Sequence, residues 1–329
     1  MCALNLLFND GLGKWTTVFV SIVFVFSLAT HLSNIPTFGL LFGFLIVNTI
    51  IRKKRQKPTL LNVKKIALPV YLFLFSLILI PSVHYAVGGK FQFSSGSHVF
   101  MVNHLIECGI MEKYLDEQCE RSNYKLCAYK DSLTWNFMWD ANSPLYKTGG
   151  WLENKVEYKQ MLSEIYTTPK YWPALTQKSI EYTVKQFFTF ETARSVPYLA
   201  GSAPFGQIEW RFRDSTREYL SSKQSANELN TKTLNQLEMF VILISLLILF
   251  VYAYYPFNGP KDETLKWMIL VVLVYGILNA GVCANLATID ARFQNRWIWF
   301  VPILAIIVLH RVAIHNDRIK RWLGVDGTH

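Results

Sequence analysis

Residues 66–88 read IALPVYLFLFSLILIPSVHYAVG, 23 residues without a charged side chain. A helix needs about 20 apolar residues to cross the hydrocarbon core of a bilayer. A buried helix of a soluble protein is the alternative, but several such stretches in one chain are rare in soluble proteins. Residues 66–88 therefore predict a membrane-spanning helix.

Further apolar runs lie on both sides of this stretch. They are residues 15–32, 36–51, 238–257, 267–287 and 297–314. Tryptophan or tyrosine stands at several of their ends, and such rings prefer the level of the lipid headgroups. The sequence predicts an all-α polytopic membrane protein with about six transmembrane helices. The run 36–51 is short, and its full crossing is left open.

The composition agrees with a membrane protein that carries a sizeable water-exposed part. Hydrophobic residues make up 51% of the 329 residues, charged residues 17%, and the mean hydropathy is +0.21. These values exclude an ordinary soluble enzyme, a disordered chain and a nucleic-acid-binding tail protein. We divide the chain into an N-terminal membrane region, 1–88, an extracytoplasmic domain, 89–237, and a C-terminal membrane region with a basic tail, 238–329.

The net charge of +10 lies almost entirely outside the domain 89–237. This domain holds 17 of the 33 basic and 16 of the 23 acidic residues, which leaves 16 basic and 7 acidic residues for the membrane regions. All but two of those 16 basic residues fall in segments that the positive-inside rule assigns to the cytoplasm, above all residues 52–65 and the C-terminal tail. The expected location is the bacterial inner (plasma) membrane, multi-pass, with both termini cytoplasmic and 89–237 in the periplasm.

The inserted domain is predicted to be mostly helical. Residues 157–168 have the pattern of an amphipathic helix that Pro169 stops, and apolar residues at helical spacing continue through 171–190. The second helix has two interpretations: a core helix of the domain, or a helix on the bilayer surface with its lysines toward the headgroups. A third pattern, from Ile208 to Leu237, predicts a helix that continues into the fourth membrane segment.

Three of the five cysteines lie in this domain. Cys119 and Cys127 bracket the turn CERSNYKLC, and we expect a disulfide between them in an oxidising compartment, with Cys108 unpaired. Free thiols in a reducing compartment are the alternative. The lack of an Asn-x-Ser/Thr sequon favours a bacterial membrane. There is no Cys-x-x-Cys pair, and neither a metal nor a cofactor is expected.

The first candidate for chemistry is SSGSHVFMVNHLIECG, residues 94–109. Its serines are N-cap types and predict a helix start. His104 and Glu107 share a helix face, whereas His98 lies nearly two turns earlier, so the three do not converge well on one metal. His104 and Cys108 also have the four-residue spacing of a nucleophile pair. The alternative is a capping cluster followed by solvated polar residues.

The second candidate is the turn NLATIDARFQNRWIWFVP, residues 285–302. Arg292 and Arg296 are the two basic residues outside the expected cytoplasmic segments, and their spacing predicts one shared helix face. Two guanidinium groups at headgroup depth can grip a phosphate bidentately. The alternatives are arginines that extend to lipid headgroups from a salt-bridged turn, and a buried ion pair with Asp290.

The third candidate, residues 131–151, is dense in aromatic and turn residues. Such a loop binds sugar rings by stacking, or forms the packed and irregular cap of the domain. The sequence has no P-loop, GxGxxG, HExxH or GxSxG motif. It therefore gives no support to ATP hydrolysis, dinucleotide chemistry, or zincin or serine-hydrolase chemistry.

The spacing of Arg292, Phe293, Arg296, Trp299 and Pro302 resembles the R-Y-x-x-P-type turn near the last membrane helices of GT-C membrane glycosyltransferases. The segment TTPKYWPALTQKSIEYTVKQFFTF is similar to their Pro-bounded surface helices. The resemblance covers about the last third of the chain and implies a polyprenyl-phosphate-linked substrate. It implies no catalytic residue, because the first outer loop, HLSNIPT, lacks the acidic residue that GT-C enzymes carry there. An unrelated family of bacterial inner-membrane proteins is the alternative.

The leading hypothesis is a protein that acts at the periplasmic face on a lipid-linked or phosphate-bearing envelope substrate, including GT-C-like glycosyl transfer. The rival hypotheses are a non-catalytic membrane subunit whose periplasmic domain docks a partner protein, and a transporter. The expected partners include membrane lipid and exclude nucleic acid. The enzyme hypothesis predicts a cavity that brings Arg292 or Arg296 together with a carboxylate of the domain. The candidate catalytic residues are His98, His104, Glu107 and Asp290.

Overall fold

The computed structural model describes residues 2–9, 11–56, 61, 63–192, 198–254 and 260–315. Every regular element in these residues is a helix, and none of them forms a strand. The nearest approach to a sheet among them is an isolated antiparallel bridge between Asp140 and Ser202. The predicted all-α class is confirmed.

The α-helices of the described residues are, in chain order, α1 Cys2–Phe8, α2 Lys14–Thr30, α3 Asn34–Lys54, α4 Val63–Gly88, α5 Ser97–Glu107, α6 Ile110–Gln118, α7 Pro144–Lys147, α8 Gly150–Glu153, α9 Lys155–Thr167, α10 Trp172–Phe187, α11 Ala203–Arg211, α12 Thr216–Ser221, α13 Lys232–Tyr254, α14 Pro260–Leu286, α15 Ala291–Gln294 and α16 Phe300–His315. Short 3-10 helices lie at Lys125–Ser132, Pro169–Tyr171 and Arg213–Ser215.

Four of the described helices are long and apolar enough to cross a membrane. They are Asn34–Lys54, Lys65–Gly88, Lys232–Tyr254 and Glu263–Leu286. The apolar helices Lys14–Thr30 and Phe300–Ala313 are shorter. The short run 36–51 forms the 21-residue α3, because Asn34 and the basic residues Arg52–Lys54 extend the helix beyond its apolar part. Six crossings remain a prediction.

The chain divides into two compact units. The apolar unit comprises Met1–Phe91, Thr233–Asn279 and Gln294–His329. The inserted unit comprises Gln92–Lys232 and Ala280–Phe293. The inserted unit thus takes in a segment that the sequence division assigned to the C-terminal membrane region.

Aromatic rings pack the first helices of the apolar unit together. Phe24 of α2 meets Phe38 of α3 at 5.3 Å between ring centroids, and Phe42 of α3 meets Phe73 of α4 at 5.7 Å. Only 22% of the most apolar part of α4 is buried. The remaining apolar side chains leave a surface suited to lipid rather than to water.

The core of the inserted unit is built around α5, α6 and α9. Its largest fully buried side chains include Tyr114, Phe137 and Tyr158. The hydroxyl groups of Tyr114 and Tyr124 both donate to the Glu164 carboxylate, the second over 3.2 Å. Because this polar group satisfies the buried hydroxyl of Tyr114, the aromatic core carries little desolvation penalty there.

A disulfide joins Cys119, at the end of α6, to Cys127, as predicted. Cys108 is free and buried. Between α5 and α6 the chain turns at Gly109, whose φ of +70° is a left-handed conformation that glycine adopts without strain. The turn ends α5 directly after Glu107, which places that carboxylate at the end of a rigid helix.

The predicted continuous helix from Ile208 to Leu237 is wrong. The chain forms α11 and α12, and then no helix until Lys232. Ser222 accepts from the backbone N–H of Ser225 over 3.2 Å, and Asn227 has a φ of +57°. Serine and asparagine offer the backbone these local alternatives to helical hydrogen bonds, so apolar spacing alone does not sustain the helix.

Candidate functional site: a polar cavity in the inserted unit

The inserted unit encloses a cavity of about 710 Å³. Its walls are Glu107, Trp135, Asn136, Trp139, Asp140, residues 198–202, residues 288–290 and Arg292. The three candidate segments of the sequence therefore meet at one place: the end of α5, the aromatic loop and the turn before α15. Carboxylates, an arginine and aromatic rings share this space, so it offers charged groups and ring surfaces to a ligand.

Glu107 brings the first carboxylate to the cavity. Asn103, one turn earlier on α5, donates its amide N–H to Glu107 Oε1 over 2.7 Å, and the Thr288 hydroxyl donates over 3.3 Å. Burial raises the pKa of the Glu107 carboxyl, while the two hydrogen bonds oppose that shift. A carboxyl with a raised pKa is suited to accept a proton near neutral pH.

Asp290 and Arg292 line another part of the cavity wall. Asp290 Oδ1 accepts from the Arg292 backbone N–H over 3.0 Å, and Asp290 Oδ2 lies 3.3 Å from Arg292 Nε. Half of the Arg292 side chain is exposed. The ion pair is therefore not a buried one, and the guanidinium retains donors for a ligand.

Gln186 of α10 fixes the backbone of this turn. Its amide donates to the Asp290 carbonyl over 2.9 Å and accepts from the Asp290 N–H over 2.8 Å. Gln186 is completely buried. The same helix also reaches Glu107, because the Tyr182 hydroxyl donates to the Glu107 carbonyl over 3.0 Å. One helix thus braces both charged walls of the cavity.

Two loops joined by backbone hydrogen bonds supply the aromatic wall. The N–H of Ala141 donates to Gly201 over 3.0 Å, and the N–H of Ala203 donates to Trp139 over 2.7 Å. The rings of Trp139 and Tyr198 lie 6.0 Å apart. Trp135 is 72% exposed, so its ring surface is open to a ligand.

His104 and Cys108 lie on the next face of α5, about 100° around the helix from Asn103 and Glu107. The Cys108 Sγ is 3.5 Å from His104 Nε2, and the imidazole packs edge-on against Tyr182 at 5.3 Å. Burial raises the pKa of the Cys108 thiol to about 11 and lowers the pKa of His104 to about 4. Both groups are neutral at pH 7, whereas an activated Cys–His pair needs a thiolate.

His98 does not line the polar cavity. Its ring Nε2 lies 2.7 Å from the Trp151 carbonyl oxygen, and its pKa is lowered, mainly by burial. Among the residues that the structure describes, no three His, Cys, Asp or Glu side chains gather as ligands for a metal.

Arg296 belongs to the apolar unit and is not part of the cavity wall. Helix α15 ends at Gln294, so the single helix that was expected to carry Arg292 and Arg296 stops between them. Five consecutive turn residues, 295–299, follow that helix. The indole N–H of Trp299 donates to the Arg296 carbonyl over 3.0 Å within this turn.

Sequence reasoning missed Asn103, Gln186 and Thr288. The contact between Asn103 and Glu107 could have been predicted, because these residues have the same four-residue spacing as His104 and Cys108. Gln186 gave a weaker signal, a polar residue on the inner face of an amphipathic helix. Thr288 gave none, because its contact with Glu107 joins residues 181 positions apart.

The chain was compared with protein-family models, with curated proteins and with solved structures, and nothing matches.

Proposed function

We propose that this protein is a multi-pass protein of the bacterial inner membrane, and that the polar cavity binds a lipid-linked, phosphate-bearing sugar of the cell envelope and transfers that sugar. The observation that carries the proposal is the joint presence of Glu107, Arg292 and exposed tryptophan in one cavity. A glycosyl transfer needs a base, a partner for the leaving phosphate and a surface for the sugar ring.

The proposed topology has six crossings, cytoplasmic termini and a periplasmic inserted unit. Two observations support it. The four long apolar helices and the two shorter ones match the six apolar runs in order. The Cys119–Cys127 disulfide fits an oxidising compartment, where structural disulfides persist.

In the proposed reaction Glu107 is the general base. Its carboxylate takes the proton from an acceptor hydroxyl while that oxygen forms a bond to the anomeric carbon of the donor sugar. The bond from that carbon to the phosphate oxygen breaks, and the electron pair leaves with the phosphate. Arg292 stabilises the charge on the departing lipid phosphate, and Trp135 and Trp139 hold the sugar ring.

Binding measurements on the full-length protein in nanodiscs test this proposal. The probes are a polyprenyl-phosphate-linked hexose, the polyprenyl phosphate and the uncharged polyprenol. We expect affinity to fall in that order. Arg292→Gln should remove the difference between the phosphate and the alcohol, and Trp135→Ala should remove the gain from the hexose.

Trp210 provides the matched control. It is 73% exposed, nearly the same as Trp135, but it is not part of the cavity wall. Trp210→Ala should leave all three affinities unchanged. Equal binding of polyprenol and polyprenyl phosphate by the unaltered protein would overturn the proposal.

A further inference from the structure

Helix α10 exposes a stripe of large apolar side chains. Trp172, Ile180, Val184 and Phe188 are 51%, 62%, 53% and 48% exposed. Ile180, Val184 and Phe188 follow one another at intervals of four residues, which places these three within about 80° of one another on one side of the helix, and Trp172 stands at the start of the helix. A stripe of this kind is unusual on a surface that faces only water.

The neighbouring face of α10 contacts the end of a helix that is long enough to span a membrane. Residues 263–286 form that span, and its last residues, from Ala280 onward, belong to the inserted unit together with α10. Asn285 donates its amide N–H to the Thr183 hydroxyl over 3.2 Å, and Gly281 faces the same threonine. Thr183 lies next to Val184 in the sequence. The end of the spanning helix therefore contacts α10 beside Ile180 and Val184 of the stripe.

Charged residues border the stripe on its other side. Glu181 lies 3.0 Å from the Lys178 ammonium and 2.6 Å from the Lys185 ammonium. Lys178, Glu181 and Lys185 form a charged ridge along the helix. Its two lysines and one glutamate give it a net positive charge, which complements anionic lipid headgroups. The indole N–H of Trp172 donates to the Tyr166 carbonyl over 2.9 Å, so this ring has the mixed polar and apolar character that suits the interface.

We infer that α10 lies in the bilayer interface, with the stripe of Ile180, Val184 and Phe188 among the acyl chains and the ridge of Lys178 and Lys185 at the headgroups. The sequence left open whether this segment is a core helix or a surface helix, and α10 serves in both ways. Its inner face braces Glu107 and Asp290, while its outer stripe meets lipid. A helix with an apolar face and flanking lysines is the recognised form of an interfacial anchor. The inference does not depend on the sugar chemistry.

Fluorescence quenching in nanodiscs tests the position of α10. An environment-sensitive nitrobenzoxadiazole label is placed at Ile180→Cys and, as the matched control on the same helix, at Lys185→Cys. Both side chains are exposed, so neither change disturbs the core. The signal of the unaltered protein, which has cysteine thiols at Cys2, Cys108 and Cys283, is subtracted.

We expect the label at position 180 to be quenched several-fold more strongly than the label at 185 by lipids that carry a spin label on the acyl chain. The label at 185 should respond more to iodide in the water. Equal iodide quenching at the two positions overturns the inference. So does a label at 180 that is open to iodide in lipid nanodiscs but shielded in native membranes, because that result assigns the stripe to a protein partner. A protein that passes this test but does not bind polyprenyl phosphate retains the interfacial helix and loses the proposed function.

Discussion

Asn103 and Glu107 stand on one face of α5, and His104 and Cys108 stand on the next, about 100° around the helix. Each pair has four-residue spacing, and each pair is in contact: 2.7 Å from amide to carboxylate, and 3.5 Å from thiol to imidazole. Glu107 lines the polar cavity of about 710 Å³. His104 lines a second cavity, of about 440 Å³, whose walls include Met101, Leu175 and Ile180.

The same physical cause acts on both faces with different chemical results. Burial disfavours the charged form of every group. For the Glu107 carboxyl this raises the pKa toward neutral pH, where a base is useful. For Cys108 and His104 burial moves the two pKa values to about 11 and about 4, away from neutral pH. Burial therefore prepares one face for proton transfer and makes the other face inert.

The largest expected effect separates the two faces directly. Glu107→Gln removes the proposed base but keeps the size of the side chain. We expect release of polyprenyl phosphate from a polyprenyl-phosphate-linked hexose to slow by at least about 100-fold, the usual contribution of a general base. Cys108→Ala is the control on the other face and should leave the rate unchanged. A Glu107→Gln protein with normal turnover would exclude Glu107 as the base.

The pH dependence of stability should have opposite signs for the two faces. The lowered pKa of His104 means that the folded state resists protonation, so stability is lost as the pH falls below about 6.5 toward about 4. The shift corresponds to roughly 3 kcal/mol. The raised pKa of Glu107 acts in the other direction, because its contribution is present below the unfolded pKa and is lost as the pH rises through the folded pKa.

Denaturant unfolding of single variants between pH 4.5 and 7 resolves these opposing contributions. The free energy of unfolding of Glu107→Gln should rise more steeply with pH than that of the unaltered protein. The slope for His104→Gln should be flatter, because the rise from His104 is removed while the opposing fall from Glu107 remains. Identical slopes in the two variants would contradict the assignment of a raised pKa to Glu107 and a lowered pKa to His104.

The brace from α10 gives the third test. Gln186→Met keeps the length of the side chain and removes both hydrogen bonds to the Asp290 backbone. Because the N–H and C=O of Asp290 then lose their buried partner, we expect the free energy of unfolding to fall by about 2 kcal/mol. Affinity for polyprenyl phosphate should also fall, because the turn that carries Arg292 loses its support.

Thr183→Val is the matched control for Gln186, one turn earlier on α10. It removes one hydrogen bond to Asn285, whose amide still donates to the Gly281 carbonyl over 2.7 Å. The expected loss of stability is smaller, and affinity should be unchanged. Equal affinity in Gln186→Met and the unaltered protein would limit Gln186 to a structural role.

The sequence predicted the local features well. The start of α5, the end of α9 before Pro169, the Cys119–Cys127 disulfide and four long apolar helices all follow from patterns within about 25 consecutive residues. Two local predictions failed. One helix through 208–237 came from counting apolar spacing and neglecting the serines and asparagines that compete for the backbone. One helix face for Arg292 and Arg296 came from their four-residue spacing, whereas α15 ends at Gln294.

The site itself was only partly predictable. The candidate segments 94–109, 131–151 and 285–302 were identified separately, but their meeting depends on contacts such as Gln186 with Asp290, 104 residues apart. The two offset pairs on α5 have equivalent spacing in the sequence. Which pair faces a charged cavity is decided by α10 and the 288–292 turn, and these are tertiary contacts without a local signal.

The smallest expected effect concerns Arg292. Arg292→Lys keeps the positive charge beside Asp290 and loses the planar fork that binds two phosphate oxygens at once. Polyprenyl phosphate should bind about tenfold more weakly, and polyprenol should bind as before. Stability should change by less than about 0.5 kcal/mol, because the side chain is half exposed and surface ion pairs contribute little.

Arg296→Lys is the paired variant: a matching loss would make both arginines phosphate ligands, whereas no change would assign the phosphate to the cavity that contains Arg292. If Arg292→Lys binds polyprenyl phosphate with unaltered affinity, charge alone suffices, and the cavity does not recognise phosphate by a bidentate contact.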